Sequence, residues 1–197
     1  MKEVWTMLTI KSLSEETLAD YLYFFDEVAF TDNPEWAGCY CTFNHFGKNE
    51  LDEFTALNYD ASYTRQKASE YVKKGILQGY LAYEGEEMIG WLSANKKATY
   101  ERLFADEDVS TDEDDHIKSV ACFTISPKHR QQGVASALLE HAVAQARKEG
   151  YQFLEAYPDT GHKDCYMNYH GFKLMFEKHG FETFKELSKC AIMRKSL

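Results

Sequence analysis

The stretch CFTISPKHRQQGVASALLEHAV, residues 122–143, limits the possible folds more than any other part of the chain. It passes from a β-rich run through a basic turn to a glycine, and then into a strongly patterned helix. HIKSVACFTISP reads as a strand that Pro127 stops, because proline cannot donate to a ladder. GVASALLEHAVAQARKEG reads as a helix closed by Gly150. Its Val134, Leu138 and Ala142 repeat at four-residue steps, with Leu139, Val143 and Ala146 alongside. QFLEAYP supplies the next strand. Strand, helix and strand at this spacing imply a parallel pair with a right-handed crossover.

The remaining elements are mostly antiparallel. MLTIKSL reads as a first strand. SEETLADYLYFFDEVAF reads as an amphipathic helix capped by Ser14, with Glu15 and Glu16 at the positive end of its dipole. NPEWAGCYCTFNHFGKN is irregular, and ELDEFTALNYDASYTRQKASEYVKKG is mixed, with a helical second half ending at Gly75. Tyr80–Tyr83 and Met88–Leu92 form a hairpin about Glu84-Gly85-Glu86. ATYERLFADEDVSTDEDDH, with acids at 106–108 and 112–115, reads as an exposed loop too poor in apolar residues to pack. MNYHGFKLMFEKHG reads as a short helix closed by Gly180. FETFKEL and CAIMRKSL read as a closing antiparallel pair. The fold class expected is α+β: a three-layer α/β/α arrangement on a mixed, mostly antiparallel sheet with one parallel splayed pair.

Composition narrows the function. The 197 residues suffice for one domain and one substantial core. No secretion signal or membrane-spanning run is visible, so the expected location is the cytoplasm. Five cysteines, an odd number without such a signal, favour reduced thiols over a disulfide framework. The net charge of −10 excludes a basic nucleic-acid footprint and leans weakly towards a cationic small molecule.

The turn itself suggests chemistry. A helix N-terminus presents unpaired N–H groups and partial positive charge, and a glycine there lets a phosphate approach the backbone. Arg130 adds a fixed charge, so Arg130-Gln-Gln-Gly133-Val-Ala135 reads as a pyrophosphate cradle. The GxxxxGK[ST] and GxGxxG phosphate loops are both missing. A glycine at a strand–helix turn also occurs with no ligand at all.

The pattern V-x-x-[QR]-x-x-G-x-[GA] between strand and helix resembles motif A of the GNAT acyl-CoA N-acyltransferase superfamily. Met175-Phe176-Glu177-Lys178-His179-Gly180-Phe181 resembles that family's later [LM]-[YF]-x-K-x-G-F segment, and the element order also matches. The resemblance spans the chain and is densest from about 117 to 184, with acceptor-side helices and loops over about 14–75. It implies acetyl-CoA as co-substrate, no metal, and direct attack by an amine in a ternary complex, in a monomer or homodimer; a small-molecule amine is expected, with a small amine, an aminoglycoside, an amino acid and a protein N-terminus all left open as acceptor. It places the pyrophosphate on Arg130, Gln131, Gln132, Gly133, Val134, Ala135 and Ser136. It places pantetheine along Phe123, Thr124 and Ile125, with an oxyanion donor at the Phe123 or Thr124 N–H and Phe176 packed on the cofactor or the core.

The sequence departs from the family at the proton-handling positions. The usual tyrosine acid corresponds to Phe176, and the usual glutamate base to Ser119. Tyr169 is the candidate acid, with Tyr166 and His170 nearby; each could equally pack in the core. Cys122 reads as a packing thiol, since nothing in the sequence would lower its pKa. Two other readings stay open. One is a catalytically silent acyl-CoA-binding or sensor module, motivated by the missing acid and base. The other is a metal or redox protein built on Cys39, Cys41 and His45, although one-residue spacing and the lack of a second ligand pair disfavour zinc. In the family frame, GCYCTFNHF is expected as a wall of the acceptor pocket, with His45 a candidate proton acceptor.

Overall fold

The computed structural model describes residues 8–103, 109–110, 114–161 and 168–197. Tyr166, and most of the acids at 106–108 and 112–115, fall outside that set. Seven strands form one sheet in the order β1-β2-β3-β4-β5-β7-β6: β1 Leu8–Ser12, β2 Gly79–Glu84, β3 Glu87–Lys96, β4 Ile117–Ile125, β5 Phe153–Ala156, β6 Glu182–Glu186 and β7 Ala191–Ser196. All neighbours are antiparallel except β4 and β5, so the expected parallel pair is present. The crossover between them is α4, Val134–Lys148, whose Leu138, Leu139, Ala142 and Ala146 are fully buried.

The sheet carries a core on each face. On one side α4 and α5 (Lys173–Lys178) cover Leu92, Ala94, Val120, Leu154 and Met193. On the other, α1 (Leu18–Tyr23), α2 (Lys48–Ala56) and α3 (Ala61–Lys73) cover Leu81, Tyr83, Trp91 and Cys122. Strand alternation produces the division: Trp91 and Leu92, or Cys122 and Phe123, point to opposite faces.

Three local expectations need correction. The first helix is α-helical only to Tyr23; Phe24–Val28 form a π turn in which the Ala29 N–H reaches the Phe24 carbonyl. Thr17, not Ser14, occupies its start, and the Ser14 N–H donates back to the Thr17 hydroxyl. The late helix is also shorter than expected. Asn168–His170 form a turn, Gly171 takes φ 90°, and α5 begins at Lys173. Finally, the described apolar residues of the acid-rich segment do pack: Tyr100, Leu103 and Val109 join Ala121, Tyr157 and Ile192 in a third apolar cluster. These few apolar residues suffice because Ala121 of β4, Tyr157 just after β5, Cys190 just before β7 and Ile192 within it supply the rest of that cluster.

Candidate active site

The site begins where β4 parts from β5. Their pairing covers only Ile117–Val120 against Phe153–Ala156, while β4 runs on to Ile125. The β3–β4 register passes from Ser93↔Cys122 to Ala94↔Val120, leaving Ala121 as the extra residue of a bulge. A bulge bends its strand and sharpens the twist, and this one sits where the parallel pairing ends. The turn 168–170 approaches the exposed edge. The Phe123 N–H donates to the Tyr169 carbonyl at 2.7 Å, and His170 Nδ1 lies 2.6 Å from the Ala121 carbonyl.

Beyond β4 comes the turn that leads into α4. Gln131 (φ 61°) and Gly133 (φ 84°) both adopt left-handed backbone, which winds successive N–H groups towards one side. A Cβ at Gly133 would meet nothing within 4 Å, so the glycine is there for its backbone angle and the space over the helix end is open. That opening fits a pyrophosphate. Arg130 is held firmly: its Nε donates to the Ile125 carbonyl at 3.2 Å and its Nη1 to Asp32 at 2.7 Å. The Gln132 side chain folds back on the Lys128 carbonyl, so any contact it makes with a phosphate comes from its backbone.

The opposite wall is GCYCTFNHF. Gly38 takes φ 93°, and a Cβ there would lie 2.6 Å from that of Ala61, so the loop seats directly on α3. Thr64 donates to the Gly38 carbonyl, Tyr21 to the Tyr40 carbonyl, and the Tyr40 hydroxyl to Asp26, which Arg65 grips with two nitrogens. These anchors hold Cys41 at φ 51°, uncommon for a side chain with a Cβ, and bring its Sγ 3.1 Å from Cys122 on β4. That thiol hydrogen bond and burial push the Cys41 pKa up, so it stays protonated.

Between turn and wall runs a cleft of about 670 Å³. Phe123, Thr124, Ile125, Arg130, Gln131, Gly133, Val134, Ala135 and Ser136 all line it, as does Tyr169; Gln132 and Phe176 do not. Phe176 is fully buried against Phe123 and Phe181, a core residue rather than a cofactor contact. The oxyanion expectation also changes. Phe123's N–H is engaged by Tyr169, and Thr124's, by alternation, points to β3.

His45 does not line the cleft. It is 4% exposed, stacked on Tyr100 and edge-on to Tyr71. Its Nδ1 lies 2.9 Å from the Thr99 carbonyl, so that nitrogen carries the proton, and Nε2 is buried without a partner. Burial lowers its pKa to about 4, and does the same to His170. Tyr169 is pushed up to about 12, chiefly by burial and then by the neighbouring thiols. Ser119 is fully buried in a network with Tyr157, Glu155, Lys97 and Arg194, apart from the cleft. Among the described residues, no group of three His, Cys, Asp or Glu side chains is arranged to hold a metal ion, and no helix is long and apolar enough to cross a membrane.

The model of the acetyltransferase (GNAT) family matches residues 43–172, well over half the chain. The protein belongs to the GNAT family. A comparison with curated proteins finds no match. Solved structures share the GNAT fold. PaiA N-acetyltransferase from Thermoplasma acidophilum, in complex with coenzyme A, is 14% identical with TM-score 0.55, over 97% of this chain and 99% of that one. Ribosomal-protein-alanine N-acetyltransferase from Brucella melitensis is 14% identical with TM-score 0.55, over 96% and 99%. YncA of Salmonella typhimurium, solved with acetyl-CoA, is 13% identical with TM-score 0.55, over 96% and 94%. As a GNAT member the protein is an acetyltransferase that draws on acetyl-CoA.

Some residues of this GNAT cleft escape sequence reasoning. Phe30, Asn44, His129, Asn168, Phe172 and Met175 line it. Met175 carried a signal, opening the late segment that resembles the family. Phe30 and Asn44 had none, because only the folded loops bring them to the cleft.

Proposed function

We propose that the protein moves the acetyl group of acetyl-CoA to the nitrogen of a small-molecule amine, with both substrates bound together. One observation carries this reading: a single cleft connects the left-handed turn at the N-terminus of α4 to a wall of thiols and rings. Residues 1–197 would act as one domain, since both ends of the cleft rest on the same sheet.

When bound, acetyl-CoA supplies an acetyl carbon activated as a thioester. The backbone of residues 131–136, with Arg130, would hold its pyrophosphate. The open edge of β4 at Phe123–Ile125 would hold the pantetheine arm as an added strand. The Phe123 N–H would exchange the Tyr169 carbonyl for the acetyl oxygen, where negative charge develops. A phenol with a pKa near 12 keeps its proton at neutral pH, so Tyr169 acts by donating a hydrogen bond to the departing sulfur. Much of the acceleration would come from positioning. His45 has no direct role in this scheme.

The test is CoA release with acetyl-CoA and a broad panel of amines. Turnover with at least one amine is expected. The engaged Phe123 N–H favours one rival, a silent acyl-CoA sensor; tight acetyl-CoA binding with no acceptor turned over would establish that instead.

A further inference from the structure

The acceptor end of the cleft has a chemistry of its own. Trp36, Phe43 and Phe30 form its wall, and Tyr169 meets Trp36 edge-on with ring centroids 5.8 Å apart. The thiols of Cys39, Cys41 and Cys122 complete it. Rings and thiols offer few good acceptors for an ammonium's three donors, but they pack well against a flat apolar body. The charged lining group of the cleft is Arg130, with His129 beside it, both at the phosphate turn. No carboxylate occurs among the described lining residues. Glu35, on the same turn as Trp36, lines an adjoining pocket of about 270 Å³ that shares Trp36, Cys39 and Phe43 with the cleft, and Asp32 is paired with Arg130.

Resting on the acetyltransfer reading above, we infer that the acceptor is a primary amine carried on an aromatic body, bound in its neutral form between Trp36 and Phe43. This assignment also answers the missing general base. An apolar wall disfavours the charged ammonium, so the amine enters without its extra proton and no protein base has to remove it. The nitrogen lone pair forms the C–N bond. The C–S bond breaks with its electrons on sulfur, and the proton shed by nitrogen passes to the CoA thiolate or to water. The chain's overall charge of −10 does not contradict this, because no acid is among the described residues that line the cleft.

The experiment compares kcat/KM for 2-phenylethylamine and tryptamine with that for hexylamine, spermidine and a tripeptide beginning with alanine. The aromatic amines are expected to exceed hexylamine at least tenfold and spermidine at least a hundredfold. Trp36→Ala, or Phe43→Ala should that variant fold poorly, is expected to shrink the aromatic-to-hexylamine ratio below threefold. The ratio is internal to the folded molecules and so insensitive to partial misfolding. In the pH profile, the limb of kcat/KM should move with the basicity of the amine. A limb fixed across amines of different basicity would instead report a group of the protein, and would overturn the inference. So would spermidine or the peptide proving the best acceptor. Acetyl-CoA binding with no turnover of any amine would overturn the transfer reading itself, an outcome distinct from turnover without aromatic preference.

Discussion

The two ends of the cleft are built in opposite ways. The turn proposed to hold the phosphate is made almost entirely of backbone: two left-handed residues, a helix N-terminus and one arginine, contiguous from 130 to 136. The wall proposed to receive the acceptor is made of side chains from distant segments. Cys41 meets Cys122 across 81 residues, and Trp36 meets Tyr169. A backbone site recognises a constant feature, a phosphate, and tolerates changes of side chain. A side-chain site reads the variable substrate and depends on every element that holds it in place.

That contrast breaks first at Gly133. Gly133→Glu places a carboxylate in the anion cradle, and calorimetry should show acetyl-CoA affinity falling by a hundredfold or more. Gly133→Ala meets no steric clash and should lose about tenfold at most, through left-handed strain alone. Equal affinity in the glutamate variant would remove the pyrophosphate from this turn.

Acid should separate the two ends. His45 and His170, behind the wall and beside the splay, have folded pKa values near 4 against about 6.5 when unfolded. The unfolded state therefore binds more protons below pH 6.5. The stability that comes from keeping these rings neutral is full above that value and is lost as pH falls from about 6.5 to about 4. The loss is on the order of 2–4 kcal/mol per histidine. Thermal melts over this range should fall steeply, and His170→Asn should flatten the slope. Parallel melts would mean that His170 is not held neutral.

Tyr169→Phe sharpens the comparison at the junction. It should lower kcat roughly 10- to 100-fold while leaving acetyl-CoA affinity and melting temperature close to the parent. Full turnover would leave Tyr169 as a packing residue. The smallest effect is expected at Asp32, whose carboxylate links the end of the first helical segment to Arg130. It competes with a phosphate for the same guanidinium, so Asp32→Asn should tighten acetyl-CoA about threefold. The pair is partly exposed, and its energy correspondingly small. Weaker binding would mean that Asp32 positions Arg130 rather than competing for it.

The turn was legible because its determinants are local. Pro127 ends a strand, Gly133 allows a left-handed residue, and Val134 to Ala146 repeat with helical period; each depends on neighbours a few residues away. The acceptor wall was legible only as a location. The spacing of Cys39 and Cys41 gave no hint that Cys41 would turn towards Cys122, because that contact depends on Gly38 seating on α3 and on the bulge at Ala121. His45 looked available for chemistry as a polar residue in a loop, yet Tyr71, Tyr100 and the Thr99 carbonyl enclose it. Phe176 fell on the expected helix but on its core side. The first helix looked longer because apolar periodicity does not distinguish an α turn from the π turn at Phe24–Val28.

By itself, the sequence determined the parallel β4–α4–β5 unit, the antiparallel remainder and the strand–glycine–helix turn at Gly133, because short-range backbone sterics and side-chain periodicity suffice to write them. Only the tertiary structure decided which side chains face the cleft, that Arg130 is gripped by Asp32, that Tyr169 holds the Phe123 amide, and that three thiols and a set of rings form one wall. Those outcomes depend on how a bulged strand and an anchored loop approach each other through a packed core, a matter of long-range geometry that no local pattern encodes.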